Sequence, residues 1–126
     1  MKENKLTLSA LPKTWIIDID GTILKHNGYI IDGVDTPLKS SVDFISKIPN
    51  TDKIILITAR TEKYKKDTIM FLDQQNIRYD EIIFDMPIGE RILINDRKPS
   101  GLEMSYAINI DRDEGINYTI IYDMEK

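Results

Sequence analysis

Hydrophobic residues in this chain fall into short, nearly unbroken runs, and most of these runs stop on a polar or charged residue. Trp15-Ile16-Ile17, continued by Ile19, meets Asp18 and Asp20. Lys53–Ile57 stops at Thr58-Ala59-Arg60. Glu81–Phe84 is shorter and stops at Asp85. Arg91–Ile94 stops at Asn95-Asp96, Ala107–Ile110 forms a fifth run, and Tyr118–Tyr122 reads as a short strand or a docked tail. Continuous rather than alternating apolar residues predict strands buried on both faces, with Trp15–Ile19 at the centre of the sheet.

The intervening segments carry a different period. Thr36 as N-cap and Pro37 at the first helical position open a helix with Leu38, Val42, Ile45 and Ile48 on one face, and Pro49-Asn50 stops it. A second helix opens at Thr61 or Glu62 and fades near Asn76. Tyr64, Thr68, Phe71 and Leu72 form its apolar stripe, while Lys63, Lys65 and Lys66 lie on a solvated face. Trp15 and Tyr64 are expected in the core. Between the first strand and the first helix, Ile23-Leu24 and Tyr29-Ile30-Ile31 flank His26-Asn27-Gly28. This pattern predicts a hairpin over Thr22–Asp32, standing as a flap with His26 at its turn. Met1–Lys13 is polar and expected to be partly loose.

Strands alternating with helices predict an α/β fold, a Rossmann-like, mostly parallel sheet with flanking helices. Ligands of such sheets bind at the carboxyl ends of the strands, and Asp18, Asp20, Thr58, Arg60 and Asp96 all fall there. One join strains this picture. A parallel crossover takes a dozen or more residues, and the segment from Phe84 to Ile92 is shorter and not helical. Either a tight loop returns across the sheet edge or the third strand is not parallel to its neighbour.

The length of 126 residues fits a single domain spanning residues 1–126, with no internal repeat or linker. A formal charge of −4 argues against general affinity for nucleic acid. There is no Cys, so any metal must be held by oxygen or by the single His, His26. Met1–Pro12 lacks a continuous apolar core and no run approaches a membrane span, so no signal peptide and a cytoplasmic location are expected.

Asp18 and Asp20 carry the chemistry. Where a chain leaves a sheet, the alternation of side chains breaks, and both carboxylates can face one pocket. Two acids this close repel unless a cation or a shared proton intervenes. A divalent metal and an anionic substrate account for them economically; the plain alternative is a strand end followed by a turn, where Asp is common.

Asp18-Ile19-Asp20-Gly21-Thr22 resembles the first motif, DxDGT, of the haloacid dehalogenase (HAD) superfamily of Mg-dependent phosphatases. Ile57-Thr58 resembles its second motif, and Ile92-Leu93-Ile94-Asn95-Asp96 its fourth; the similarity covers roughly Thr14 to Ile110. The resemblance implies a phosphomonoester hydrolase in which Asp18 attacks phosphorus and forms an aspartyl-phosphate, while Asp20 protonates the leaving oxygen and then activates water. It implies Mg²⁺ held by the Asp18 carboxylate, the Asp20 backbone carbonyl and Asp96, with waters and a phosphate oxygen. It also implies that Thr58 and the backbone N–H groups of the Gly21 turn bind the phosphoryl group, with Arg60 contacting substrate.

Two departures from the family pattern stand out. The third motif, a Lys or Arg before the fourth, has no helix to carry it; Lys98 is the favoured substitute, with Arg91 and Lys66 as alternatives. The fourth motif lacks its second acid, so Asn95 or a water stands in. No segment is long enough for a cap domain. The open site then calls for a protruding substrate, or a homo-oligomer in which a second subunit acts as lid. Asn95-Asp96-Arg97-Lys98-Pro99 resembles short capless members of surface-polysaccharide pathways, which implies a sugar phosphate or small polyol phosphate as substrate. Two rival readings remain at this level. One is a nucleic-acid 3′-phosphatase, which the acidic charge disfavours. The other is a receiver-like phosphoryl-acceptor module, which has no use for an acid two residues after its aspartate.

Overall fold

The computed structural model of the chain describes residues 4–126. It is α/β, with every strand pair parallel and the strands divided between two small sheets. Strand β1 (Asn4–Ser9) opens the described chain, followed by β2 (Thr14–Asp18), helix α1 (Gly28–Ile31), α2 (Lys39–Ser46) and β3 (Lys53–Ile57). A 3₁₀ turn at Glu62–Tyr64 leads into α3 (Lys65–Gln74), then β4 (Glu81–Ile83), and β5 (Tyr118–Asp123) ends the chain. The larger sheet has the order β2-β3-β4, with Ile17 opposite Leu56 and Asp18 opposite Ile57. The smaller sheet pairs β1 with β5, from Asn4 opposite Tyr118 to Ser9 opposite Asp123.

One core serves the larger sheet. Ile17, Ile54 and Leu56 from the strands meet Ile19, Ile23 and Leu24 from the loop after β2, Ile45 and Ile48 from α2 and its end, and Leu72 and Ile77 from α3 and its end. Both helices are crossovers between neighbouring parallel strands running the same way, so right-handed connections put them on the same face. The other face is not covered in the same way: Ile16 is 51% exposed, and Ile83 is exposed as well.

Local chemistry explains the helix ends. Helix α3 stops in a Schellman motif: the Asn76 amide donates to the Asp73 carbonyl and the Ile77 amide to that of Leu72, both at 3.1 Å. Asn76 takes the left-handed backbone conformation this cap needs, with φ of 57°. Ile77 is then delivered beside Leu72 in the core. At the foot of β2, the buried Asp52 carboxylate accepts bonds from the Trp15 indole (2.9 Å) and the Lys13 amide (3.0 Å), stapling the start of β2 to the chain entering β3.

Several expectations are corrected. The Thr22–Asp32 hairpin does not form. Asn27 is left-handed, but it leads into α1 instead of a two-residue hairpin turn, and Leu24 makes isolated bridges to Asp20 and Pro37. The helix expected from Thr36-Pro37 begins at Lys39. β2 lies at an edge of its sheet rather than at its centre. The segment read as loose contains β1; the part of that reading on Met1–Glu3 lies outside the described residues. β4 is parallel to β3. The strands expected over Arg91–Ile94 and Ala107–Ile110 do not form, and Ile92 and Ile94 stand 81% and 90% exposed. The Phe84–Ile92 segment is too short to cross over and place Arg91–Ile94 parallel beside β4. It instead runs along the Thr58–Arg60 segment, where Asp85 and Met86 amides donate to the carbonyls of Arg60 and Thr58. Among the described residues no helix is long and apolar enough to cross a membrane.

Candidate active site

Three chain segments converge beyond the carboxyl ends of β2 and β3. The first is the loop Asp18–Leu24. The Ile19 carbonyl accepts bonds from the amides of Thr22, Ile23 and Leu24, and the Gly21 amide donates to the Leu24 carbonyl at 2.7 Å. This winds the loop tightly and turns Asp20 toward β3. Gly21 has φ of +82°, where an L side chain is strained, so the turn calls for glycine.

The second segment is Thr58-Ala59-Arg60, directly after β3. The Thr58 hydroxyl donates to Asp20 Oδ2 at 2.7 Å and accepts from the Arg60 amide at 3.0 Å. Arg60 is 4% exposed. Its Nε donates to Asp20 Oδ1 at 3.0 Å, and NH2 lies 3.0 Å from the same oxygen. NH1 and NH2 clasp both oxygens of Asp35 at 2.9 and 2.7 Å, and NH1 also donates to the Thr68 hydroxyl at 3.0 Å. The guanidinium carbon sits 3.9 Å from the centre of the Tyr29 ring, which meets Tyr64 edge-on. Four of the five guanidinium N–H groups of Arg60 thus donate to an acceptor, and NH2 also lies within ion-pair distance of Asp20. Burial works against its charge, but the Asp35 hydrogen bonds and the charges of Asp20 and Asp35 outweigh burial and hold the guanidinium above its ordinary pKa. Burial also pushes the Tyr29 phenol up, with Asp20 and Asp35 adding to the effect.

Asp18 faces a different environment. Its Oδ2 accepts from the Thr22 hydroxyl at 3.2 Å and its Oδ1 from Arg91 at 3.2 Å. Burial raises its pKa; the Arg91 charge and the Thr22 bond oppose this without cancelling it, and Asp20 adds its repulsion.

The third segment is the stretch after the long irregular excursion that follows β4. The Asp113 amide donates to the Gly21 carbonyl at 2.9 Å, and the Asp113 carboxylate accepts from the His26 amide at 2.7 Å. Arg112 lies against the bare Cα of Gly21: a Cβ there would meet Arg112 Cγ at 3.1 Å and Nε at 3.8 Å. Farther along, the Ser41 hydroxyl donates to the Thr22 carbonyl and accepts from the Ile116 amide, tying this stretch and the loop to α2.

The structure therefore brings together Asp18, Asp20, Gly21, Thr58 and Arg60. Asp96 and Lys98 do not join them. Asp96 is exposed and bonds only the neighbouring Asn95 amide, while Lys98 is exposed in a turn closed by its backbone to Leu102 and Gly101. Arg91 reaches Asp18 instead, and Lys66 is exposed on α3. Two roles also change. The Gly21 amide is spent on Leu24 and the Thr58 proton on Asp20, so neither points at a free anion site. The expected Mg²⁺ site does not fit this arrangement: among the described residues no three His, Asp or Glu side chains come together. The expected third ligand, Asp96, is not at the site, and the Asp18 and Asp20 carboxylates, which with waters and a phosphate oxygen would have to hold the ion, are each bonded by an arginine. Sequence reasoning missed Asp35, Tyr29, Thr68 and Arg112. Asp35 has no signal beyond a loop acid before Thr36-Pro37, and Arg112 none beyond its charge.

Comparisons of the chain with protein-family models, with curated proteins and with solved structures return no match.

Proposed function

We propose that the chain is a phosphomonoester hydrolase of the HAD type acting through an aspartyl-phosphate, with Asp18 as nucleophile and Asp20 as proton carrier. The observation that carries this reading is the 2.7 Å bond from Thr58 to Asp20. It ties the ends of β2 and β3 into one polar site and holds Asp20 in a fixed rotamer beside the less constrained Asp18.

In the first step an Asp18 carboxylate oxygen bonds to phosphorus, the bond from phosphorus to the ester oxygen breaks, and the leaving oxygen takes a proton from Asp20. In the second, Asp20 accepts a proton from water as the water oxygen bonds to phosphorus, and the bond to Asp18 breaks to release phosphate. Both Asp20 oxygens accept bonds from Thr58 and Arg60, an arrangement suited to the base step. Donation in the first step requires one of these bonds to be given up. Arg91 offsets charge as the Asp18 carboxylate approaches an anion. The substrate is a small phosphomonoester, for which the sequence resemblance points to a sugar or polyol skeleton.

Phosphate release is measured over sugar phosphates, polyol phosphates, nucleotides and a 3′-phosphorylated oligonucleotide, with and without Mg²⁺. Asp18→Asn should abolish turnover while the far-UV spectrum stays that of the wild type. A variant that retains the wild-type rate refutes the nucleophile assignment, and turnover of the oligonucleotide alone moves the substrate to nucleic acid.

A further inference from the structure

We propose that Arg112 determines substrate specificity: it holds a guanidinium over the Gly21 turn to receive a second anionic group, carboxylate or phosphate, carried by the phosphomonoester. The location rests on the phosphomonoesterase reading, but the argument for a bound anion rests on Arg112 itself.

Arg112 is fixed in place without being neutralised. The next residue bolts the backbone to the site loop at two points, Gly21 and His26. The stem of Arg112 packs where only a glycine leaves room for it. Yet Arg112 has no hydrogen bond or ion pair among the described residues. Of the neighbouring acids, Asp113 takes the His26 amide, while Asp111 and Glu114 line a separate cleft with Asn4, Asn117 and Tyr118 and form no ion pair with Arg112. Arg60, by contrast, is buried and paired with two carboxylates, with four of its guanidinium N–H groups donating within the protein. Arg91 gives one N–H to Asp18 at 3.2 Å, so its charge already faces a carboxylate. Arg112 is thus the arginine at this site that no carboxylate pairs among the described residues, and its planar fork of donors matches carboxylate or phosphate oxygens.

Spacing sets the class of substrate. Gly21 lies three positions after Asp18 along the chain, a backbone span of at most about 10 Å. A phosphoryl group at Asp18 and an anion at Arg112 can therefore belong to one small molecule, and a three-carbon skeleton with a charge at each end is the compact probe of that arrangement.

The test uses a matched pair, 3-phosphoglycerate and glycerol 3-phosphate, which differ at the end away from phosphorus by a carboxylate against a hydroxymethyl group. The wild-type protein should favour the carboxylate in kcat/KM by about tenfold or more, mainly through KM. Arg112→Gln should bring that ratio to within about twofold of unity, and Arg112→Lys should restore part of it. Calorimetric binding of the same two compounds should show the same preference. Hydrolysis with no preference, or with a preference that Arg112→Gln leaves intact, overturns the role of Arg112 while the phosphatase reading stands. Preferential, Arg112-dependent binding without hydrolysis supports Arg112 and overturns the phosphatase reading. Neither binding nor hydrolysis overturns both.

Discussion

Replacing Arg60 with Met removes a buried cation that two carboxylates share, and the structure sets the size of the effect. The Arg60 side chain is 1% exposed, that of Asp35 6% and that of Asp20 15%. Removing one partner of a buried, hydrogen-bonded ion pair costs about 3–5 kcal/mol, because the remaining charge is left without compensation. Here two carboxylates lose their partner, though water can reach Asp20 more readily than Asp35. The contact with the Tyr29 ring adds about 0.5–2 kcal/mol. We therefore expect Arg60→Met to lose about 4 kcal/mol, a third or more of the stability of an ordinary domain. Urea unfolding at pH 7 measures this loss, and a thermal midpoint lowered by roughly 10–20 °C accompanies it. Asp35→Asn leaves Arg60 paired with Asp20 and should cost only about 1–3 kcal/mol. The double variant Arg60→Met with Asp35→Leu removes the stranded Asp35 charge, so its cost should fall short of the sum of the singles by about 1–3 kcal/mol. An Arg60→Met loss below about 1 kcal/mol, or strict additivity in the double variant, refutes the cluster as a buried ionic unit.

Two further predictions concern the same region. The folded-state pKa of Asp18 is raised, so its contribution to stability is fully present below the unfolded value and is lost as pH rises through the folded one. Asp18→Asn should therefore gain stability over the wild type as urea titrations move from about pH 3 toward pH 7, and a gap that narrows with pH refutes this; the acid limb of kcat/KM should likewise lie above the ordinary Asp range. Gly115 and Gly33 both have positive φ, but a Cβ on Gly115 would collide with the Ser40 hydroxyl, whereas one on Gly33 meets nothing within 4 Å. Gly33→Ala should cost about 1 kcal/mol from backbone strain and Gly115→Ala clearly more, with equal losses in chemical unfolding counting against the packing of this stretch on α2.

Local information carried much of the fold. The apolar runs at β2 and β3, the α3 stripe with Thr68 and Leu72 buried, and the α3 end near Asn76 were all readable, because each depends on neighbours a few residues away. β1 was missed because its sequence, Asn-Lys-Leu-Thr-Leu-Ser, is mostly polar and is fixed as a strand by β5, more than a hundred residues later. Arg91–Ile94 and Ala107–Ile110 failed in the opposite direction. β-Branched composition describes a surface that fits a pleated, half-buried environment; it does not create the neighbouring strand. The Phe84–Ile92 join already signalled the problem, since a segment that cannot cross over cannot place its next strand parallel beside the last.

The site divides along the same line. Asp18, Asp20, Thr58 and Arg60 were legible as a group because strand ends converge whatever the rest of the chain does. What those side chains do to one another was not. Thr58 and Arg60 were read as ligands for substrate, yet both spend their donors on Asp20, and Arg60 does so because Asp35, from the connection between α1 and α2, draws the guanidinium inward. Charge pairing has no period, so nothing in the spacing of Asp35 and Arg60 announces it. The same reasoning separates the three arginines at the site. Each carries the same charge in the sequence, and only the count of acceptors around each sorts them: Asp20, Asp35 and Thr68 at Arg60, Asp18 at Arg91, none among the described residues at Arg112. Arg112 is also exposed, so a ligand from solution can reach the one arginine that no acid of the described residues pairs.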